Sequence, residues 1–196
     1  MPKLEQPLHS PKFAEALLFA SQLHERQVRK GSQVPYISHL LGVTALVLQD
    51  GGNETEAIAA LLHDAVEDQG GMETLAEIQD RFGEQVAEIV LACSDTTASP
   101  KPPWRDRKQA YLEHLESASP QVLRVSLADK LHNARSILRD IHIQGNAIWD
   151  KFNGGKTGTL WYYRSLYEFF SANRPGYMAE ELGRVLADIE QLLTLT

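Results

Sequence analysis

The sequence is short of the residues that mark several classes of protein. Its 196 residues include one cysteine, Cys93, so no disulfide can form within the chain, which is the usage expected of a cytosolic protein. No apolar run approaches the length of a membrane span, and segment 1–11 contains no signal-like apolar stretch. Positive charge is also scarce, because 19 lysines and arginines face 26 acidic residues and leave a net charge of −7. We therefore expect a cytoplasmic protein with no membrane partner and no nucleic-acid partner.

Seven of the 19 basic residues fall into two local clusters. An acidic protein that binds a small polyanion must supply its positive charge locally, because its overall charge repels the ligand. The first cluster precedes His39 in the sequence, and the second lies at a proline-rich segment. The clusters are Arg26, Arg29 and Lys30, and Lys101, Arg105, Arg107 and Lys108.

Apolar residues recur at helical spacing along almost the whole chain. With 43% apolar and 23% charged residues, this pattern predicts an all-α bundle of about eight to ten helices. We expect a single domain over residues 1–196, in which the C-terminal helices complete the bundle.

The segment 54–67 is predicted to be the central helix of this bundle. Its run Ala57–Leu62 is apolar on all sides, which is typical of a helix buried on every face. Asn53 and Glu56 are spaced as a capping box at its start. Segment 145–159 carries several glycines, and we interpret it as a loop that borders a site.

The strongest chemical signal is the pair His63-Asp64, directly after that apolar run. Charged side chains are rarely buried without a partner, because their desolvation is costly. A divalent metal would be such a partner; the alternative is an ordinary core histidine bonded to its neighbour.

Two further residues favour the metal. His39 lies at a predicted junction between a loop and a helix, and Asp129 interrupts the apolar face of another helix. Two imidazoles and two carboxylates suit Mn²⁺, Fe²⁺ or Zn²⁺, with positions left for water and substrate. The residue types alone do not select among these ions.

Polar residues near these four candidates suggest catalysis. Glu67 and Asp68 follow one turn after His63-Asp64, where the helix dipole disfavours carboxylates. They are either a solvated helix end or groups that orient and deprotonate a water beside a metal. Asn133 shares a helix face with Asp129 and is either a surface residue or a contact to substrate. We interpret His132 as structural, because it points elsewhere on that helix.

Three segments of the sequence together resemble a known family. Residues 29–39, 60–68 and 127–133 are similar, in this order, to motifs of the hydrolase domain of RelA/SpoT-type proteins, which is an HD domain. The similarity extends over roughly residues 10–140. The length of the chain leaves no room for a synthetase domain, so we expect a stand-alone small alarmone hydrolase.

The resemblance implies a reaction and a role for each candidate. Such enzymes use one Mn²⁺ ion to remove pyrophosphate from the ribose 3′ position of guanosine tetra- or pentaphosphate, giving GDP or GTP. The implied metal ligands are His39, His63, Asp64 and Asp129, and the implied catalytic residues, which position and activate the water, are Glu67 and Asp68. The implied contacts to the nucleotide are Arg29, Lys30, Lys108 and Asn133.

Two other functions remain open at this point. One is a phosphatase that acts on another nucleotide, such as NADPH or a deoxynucleotide, through the same metal site. The other is a non-catalytic nucleotide-binding module. We expect such a module to have lost a ligand or the Glu67-Asp68 pair, whereas this chain retains all six residues.

Overall fold

The structure is a computed structural model, and it describes residues 10–96 and 100–194. These residues form α-helices joined by short connections, and their only extended pairing is an isolated bridge between Val28 and Pro35. The all-α architecture predicted from the sequence is therefore confirmed. The helices are α1 (Pro11–Leu23), α2 (Ile37–Gln49), α3 (Glu54–Leu62), α4 (Ala65–Asp68), α5 (Met72–Phe82), α6 (Glu84–Cys93), α7 (Trp104–Leu115), α8 (Pro120–Gln144), α9 (Gly155–Asn173) and α10 (Tyr177–Thr194).

Helix α3 lies at the centre of the bundle, as its apolar sequence predicts. Every residue of Ala57–Leu62 is at most 3% exposed, and the helix packs against α1, α2, α6 and α8. The predicted capping box is present: Asn53 Oδ1 accepts from the Glu56 backbone N–H at 3.0 Å, and Glu56 Oε2 accepts from the Asn53 N–H at 2.9 Å. The helix thus begins at a fixed point and carries its C-terminal end to the site.

The prediction of one continuous helix over 54–67 is wrong, because the helix ends at Leu62 and a new turn, α4, starts at Ala65. His63 and Asp64 occupy the break. Consecutive residues of a continuous helix point about 100° apart. The break allows these two neighbours to direct their side chains toward one point, which a regular helix would prevent.

The prediction that 145–159 is a loop is also wrong. This segment contains a 3₁₀ helix over Gly145–Lys151, and α9 already begins at Gly155. Two of its glycines, Gly154 and Gly158, lie against the Trp104 ring. A Cβ on Gly154 would lie 2.6 Å from the Trp104 ring, so the start of α9 approaches α7 where a side chain would not fit.

The long helix α8 connects most of the bundle. Ser119 caps its start, accepting from the Val122 N–H at 3.3 Å, and Pro120 occupies its first turn. It packs against α2, α3, α6, α9 and α10. None of the helices formed by residues 10–96 and 100–194 is both long and apolar enough to cross a membrane.

Candidate active site

Three parts of the chain bring two histidines and two aspartates together. His39 lies in the first turn of α2, His63 and Asp64 form the break between α3 and α4, and Asp129 lies in α8. One potential ligand atom from each of His39, His63 and Asp129 lies within 4.8 Å of the other two. Asp64 Oδ2 lies 3.4 Å from His39 Nε2 and 3.1 Å from His63 Nε2. We refer to these four residues as the His/Asp cluster.

The donor atoms of the cluster fit a divalent cation. The Nε2 atoms of His39 and His63 are buried and have no hydrogen-bond partner among the described residues. His63 Nδ1 lies 2.8 Å from the Ala60 carbonyl oxygen, to which it donates, so the lone pair of the neutral ring is on Nε2. Two imidazole lone pairs and two carboxylates thus converge, as a divalent metal requires.

Strong electrostatic coupling holds the cluster together. Burial alone would lower the pKa of His63, but Asp64 and Asp129 raise it to about 10. Burial alone would raise the pKa of Asp64, but His63 and His39 hold it well below its ordinary value. Without a metal, His63 is therefore protonated at neutral pH, and this proton supplies the positive charge between the two aspartates that a divalent ion would otherwise supply.

Two residues that the sequence patterns did not single out fix the aspartates. The Tyr36 hydroxyl donates to Asp64 Oδ2 at 2.6 Å, and Lys130 Nζ donates to Asp129 Oδ2 at 2.6 Å. Tyr36 precedes the first turn of α2, and no periodicity marks it as part of a site. Lys130 lies next to Asp129 in sequence, but only the fold shows that its ammonium turns back to that carboxylate.

His132 was expected to point away from the site, and this expectation is wrong. Its Nδ1 lies 2.9 Å from His39 Nδ1. The approach of α2 to α8 makes this contact possible, since a Cβ on Gly42 would lie 2.3 Å from the His132 ring. Burial, together with His39, lowers the pKa of His132 to about 4, so the ring is neutral near pH 7 and can accept a hydrogen bond from His39. That bond leaves the His39 Nε2 lone pair free for an ion.

A cleft of about 460 Å³ lies between the Arg29 turn, α7, α8 and α9. All four residues predicted to contact a nucleotide line it: Arg29, Lys30, Lys108 and Asn133. Further cationic residues in its wall are Lys130, Arg139 and Lys151, and its aromatic residues include Tyr36, Trp104, Phe152, Tyr162 and Tyr163. The cleft thus combines positive charge with aromatic surface, which suits an anionic ligand that carries a planar ring.

Asn133 links the cluster to the basic wall of the cleft. Its Nδ2 donates to Asp129 Oδ1 at 2.6 Å, and its Oδ1 accepts from Arg29 Nη2 at 2.5 Å. Arg29 lies in a tight turn closed by its own N–H to the Val34 carbonyl at 2.8 Å, and its guanidinium lies 5.4 Å from the Tyr36 ring centroid. A continuous chain of polar contacts therefore runs from Asp129 to the arginine.

Lys108 reaches the cleft from α7. Its Nζ lies 3.1 Å from Asp95 Oδ2, and 5.0 Å from the Tyr162 ring centroid. Burial, with the nearby charge of Lys130, lowers the pKa of Lys108. Tyr162 lines the same wall, and its hydroxyl is buried without a hydrogen-bond partner among the described residues.

The structure separates the two carboxylates of α4. Asp68 lines the cleft and accepts from Gln27 Nε2 at 2.8 Å; burial and the charge of Asp64 raise its pKa. Glu67 is not among the residues that line the described part of the cleft. Its carboxylate lies 2.9 Å from Lys101 Nζ and accepts from the Asp95 N–H at 3.1 Å. Asp68 therefore faces the ligand space, and Glu67 faces the segment that follows α6.

Comparison with known proteins places the chain in a family. The family model described as HD domain matches residues 16–160. The guanosine-3′,5′-bis(diphosphate) 3′-pyrophosphohydrolase MESH1 of Xenopus tropicalis is 41% identical over 128 residues, which are 64% of this chain and 69% of that protein. MESH1 of Homo sapiens is 38% identical with the same coverage.

The fold is found in a solved structure as well. A structure described as a metazoan ortholog of SpoT that hydrolyzes ppGpp and plays a role in starvation responses superposes with a TM-score of 0.75. It shares 22% identity, and the alignment covers 94% of this chain and 98% of that one. The fold, the matched domain and the identity to MESH1 agree, and the chain belongs to the HD-domain family, as a hydrolase of the RelA/SpoT type.

Proposed function

We propose that this protein is a metal-dependent guanosine 3′,5′-bis(diphosphate) 3′-pyrophosphohydrolase, which degrades (p)ppGpp to GDP or GTP and pyrophosphate. The observation that carries the proposal is the position of the basic cleft: Tyr36, Lys130 and Asn133 line it and hydrogen-bond to the two aspartates of the His/Asp cluster. From there the cleft continues along a wall of cationic residues. A polyphosphorylated nucleotide matches such a wall at both its phosphate groups and its base. The activity named for MESH1 supports the same substrate.

The His/Asp cluster would hold one divalent ion, which we propose to be Mn²⁺. Such an ion, when bound, supplies a Lewis acid that polarises a phosphoryl oxygen and makes water more acidic. The protein's own contribution is to fix the donor atoms. His132 sets the tautomer of His39, the Ala60 carbonyl sets that of His63, and Tyr36 and Asn133 orient the two carboxylates.

The remaining residues would position the reaction and move its protons. Asp68, whose pKa is raised, accepts the proton of the water whose oxygen attacks the 3′ phosphorus. The bond from that phosphorus to the ribose 3′ oxygen breaks, so pyrophosphate leaves with the new oxygen and the ribose oxygen takes up a proton.

Lys108 and Lys130 face the phosphates, and Arg29 faces the nucleoside. Glu67 acts from outside the cleft by holding Lys101 and the backbone of Asp95.

A panel of nucleotides tests this function. Purified protein with Mn²⁺ is given guanosine tetraphosphate, GTP, NADPH and a deoxynucleoside triphosphate, and pyrophosphate and phosphate are measured separately. We expect pyrophosphate from the tetraphosphate, no phosphate from the other nucleotides, and no product in the presence of a chelator. Phosphate from NADPH or the deoxynucleotide, with the tetraphosphate intact, would establish the alternative phosphatase. No product from any nucleotide would favour a non-catalytic binding module.

A further inference from the structure

The cleft extends along one face of α8, away from the His/Asp cluster. Asn133, Ile137 and Asp140 follow Asp129 at helical spacing, and all three line the cleft. With a rise of about 1.5 Å per residue, the segment from Asp129 to Asp140 spans roughly 16 Å. The cleft therefore has a far end that lies about three helical turns from the residues that would hold the ion.

The far end is built around one carboxylate with two cations. Asp140 Oδ2 lies 2.5 Å from Lys151 Nζ, and Asp140 Oδ1 lies 2.9 Å from Arg139 Nη2. The side chains of Asp140 and Lys151 are 11% and 16% exposed. Phe152 lines the cleft beside this pair, with its ring centroid 5.4 Å from Lys151 Nζ.

The turn that carries Arg29 and Lys30 packs directly against this group. A Cβ on Gly31, which has a φ of 75°, would lie 3.0 Å from Lys151 Cδ, so the turn and the lysine stem are in close contact. Lys30 lines the same cleft. Cationic side chains thus outnumber carboxylates at the far end, which leaves positive charge for a ligand.

We propose that Lys151 and Arg139 form a second anion subsite, which binds the 5′ phosphates of the nucleotide while its 3′ diphosphate lies at the His/Asp cluster. This inference rests on the proposed function and specifies its substrate as a nucleotide phosphorylated at both ends. Asp140 holds the two cations in place when no nucleotide is bound, and a phosphate competes with it for them. Lys151 lies in the 3₁₀ segment, beyond the three motifs that carry the family resemblance.

Binding measurements on two nucleotides test the subsite. Guanosine 3′,5′-bis(diphosphate) and guanosine 3′-diphosphate, which lacks the 5′ phosphates, are titrated calorimetrically into protein freed of metal, where no turnover interferes. We expect wild-type protein to bind the first at least about tenfold more tightly, the size of one well-placed charged contact. Lys151→Met should remove most of this difference. The matched control is Lys156→Met, an exposed lysine in the first turn of α9 that does not line the cleft.

Asp140→Asn separates a binding role from a structural one. If the cations serve a phosphate, removing the competing carboxylate tightens binding of the bis(diphosphate), whereas Lys151→Met weakens it. A merely structural ion pair predicts a loss in both variants and for both nucleotides. Arg139→Met, whose side chain is 54% exposed, provides a second variant should Lys151→Met fail to fold.

The outcomes distinguish this subsite from the proposed function. Equal affinity of wild-type protein for the two nucleotides, or a difference that survives both Lys151→Met and Arg139→Met, would overturn the subsite. The same assay with Mn²⁺ should show the effect of Lys151→Met in KM for the bis(diphosphate), with kcat nearly unchanged. Selective binding without any pyrophosphate release would contradict the proposed function and leave the subsite standing.

Discussion

Asp68 and Glu67 are neighbours in sequence, and the structure gives them different surroundings. Asp68 lines the cleft near Asp64, whereas Glu67 contacts Lys101 and the backbone of Asp95. We expect Asp68→Asn to lower kcat by about 10²- to 10⁴-fold, the usual contribution of a general base, while bound metal stays stoichiometric.

Glu67→Gln should lower turnover less than Asp68→Asn, because it weakens the hold on Lys101 without removing a group from the cleft. Steady-state kinetics with metal analysis of each variant measure both effects. Full activity of Asp68→Asn would show that another group takes the proton. A larger loss in Glu67→Gln than in Asp68→Asn would reverse the roles that we assign to the two carboxylates.

His132 provides a second test at the residue scale, because it acts through His39. Removing a residue that orients a metal-bound histidine typically lowers metal affinity about 10- to 100-fold. We expect this loss in His132→Ala, measured by competition with a chelating dye, and partial recovery in His132→Asn, whose amide oxygen can accept from His39. His142→Ala, an exposed histidine of the same helix, is the control and should bind metal normally. Unchanged affinity in His132→Ala would remove His132 from the site.

The sequence predicts the part of the site in which a charged or polar residue stands within an apolar segment. Asp129 in an apolar helix face and His63 after an apolar run are costly to bury, and this conflict is visible in the order of residues alone. Tyr36 and His132 show no such conflict. Their contacts cross from one helix to another, at distances that only the packing of α2 against α8 determines.

At the scale of helices, the start of α3 fixes where the His63-Asp64 break lies. Glu56 is 2% exposed and its carboxylate both completes the capping box and pairs with Arg124 of α8. Glu56→Ala removes the capping-box acceptor and one of the two carboxylates that Arg124 contacts, while Asp50 remains 3.0 Å from the Arg124 Nε. We expect this change to lower the free energy of unfolding by about 2 kcal/mol, from the lost cap and the lost charged hydrogen bond.

Urea denaturation at neutral pH measures this loss. The control is Glu84→Ala, which makes the same change in the first turn of α6, where the glutamate is exposed. It should change stability by less than about 0.5 kcal/mol. Similar small losses in the two variants would show that the buried pair at the start of α3 contributes no more than a surface carboxylate.

Helix identity was predictable from the sequence, whereas two local features were not. Periodic apolar residues and the Asn53–Glu56 spacing predict α3 and its start. At the break, Asp64 accepts from the Tyr36 hydroxyl and His63 Nε2 lies 3.6 Å from Asp129 Oδ1, and both contacts join residues that are far apart in sequence. The glycines of 145–159 suggested a loop, yet Gly154 is small because the Trp104 ring lies against it.

At the scale of the whole molecule, the His/Asp cluster joins α2, the α3–α4 break and α8, so an ion that binds there should stabilise the fold. With Mn²⁺ at about 100 times its Kd, linkage gives about 2.7 kcal/mol. The ion must displace the proton that Asp64 and Asp129 hold on His63, whose pKa is about 10 without metal. The affinity of the cluster for Mn²⁺ therefore increases as the pH rises toward 10.

We accordingly expect Mn²⁺ to raise the unfolding temperature, and to raise it more at pH 8.5 than at pH 6.5 when the ion concentration is the same. Thermal unfolding followed by circular dichroism measures the shift, with Asp129→Asn as the variant that should show almost none. An equal shift at both pH values would mean that His63 carries no proton in the metal-free protein.

We propose above that the His/Asp cluster carries a metal-dependent hydrolysis of guanosine tetraphosphate at its 3′ diphosphate. The most direct test of this proposal follows pyrophosphate release by wild-type protein and Asp129→Asn, first as purified, then after chelation, and again after Mn²⁺ is restored. We expect release by wild-type protein, loss on chelation, recovery with Mn²⁺, and no recovery in Asp129→Asn. Pyrophosphate release that persists without metal, or that Asp129→Asn retains in full, would contradict it.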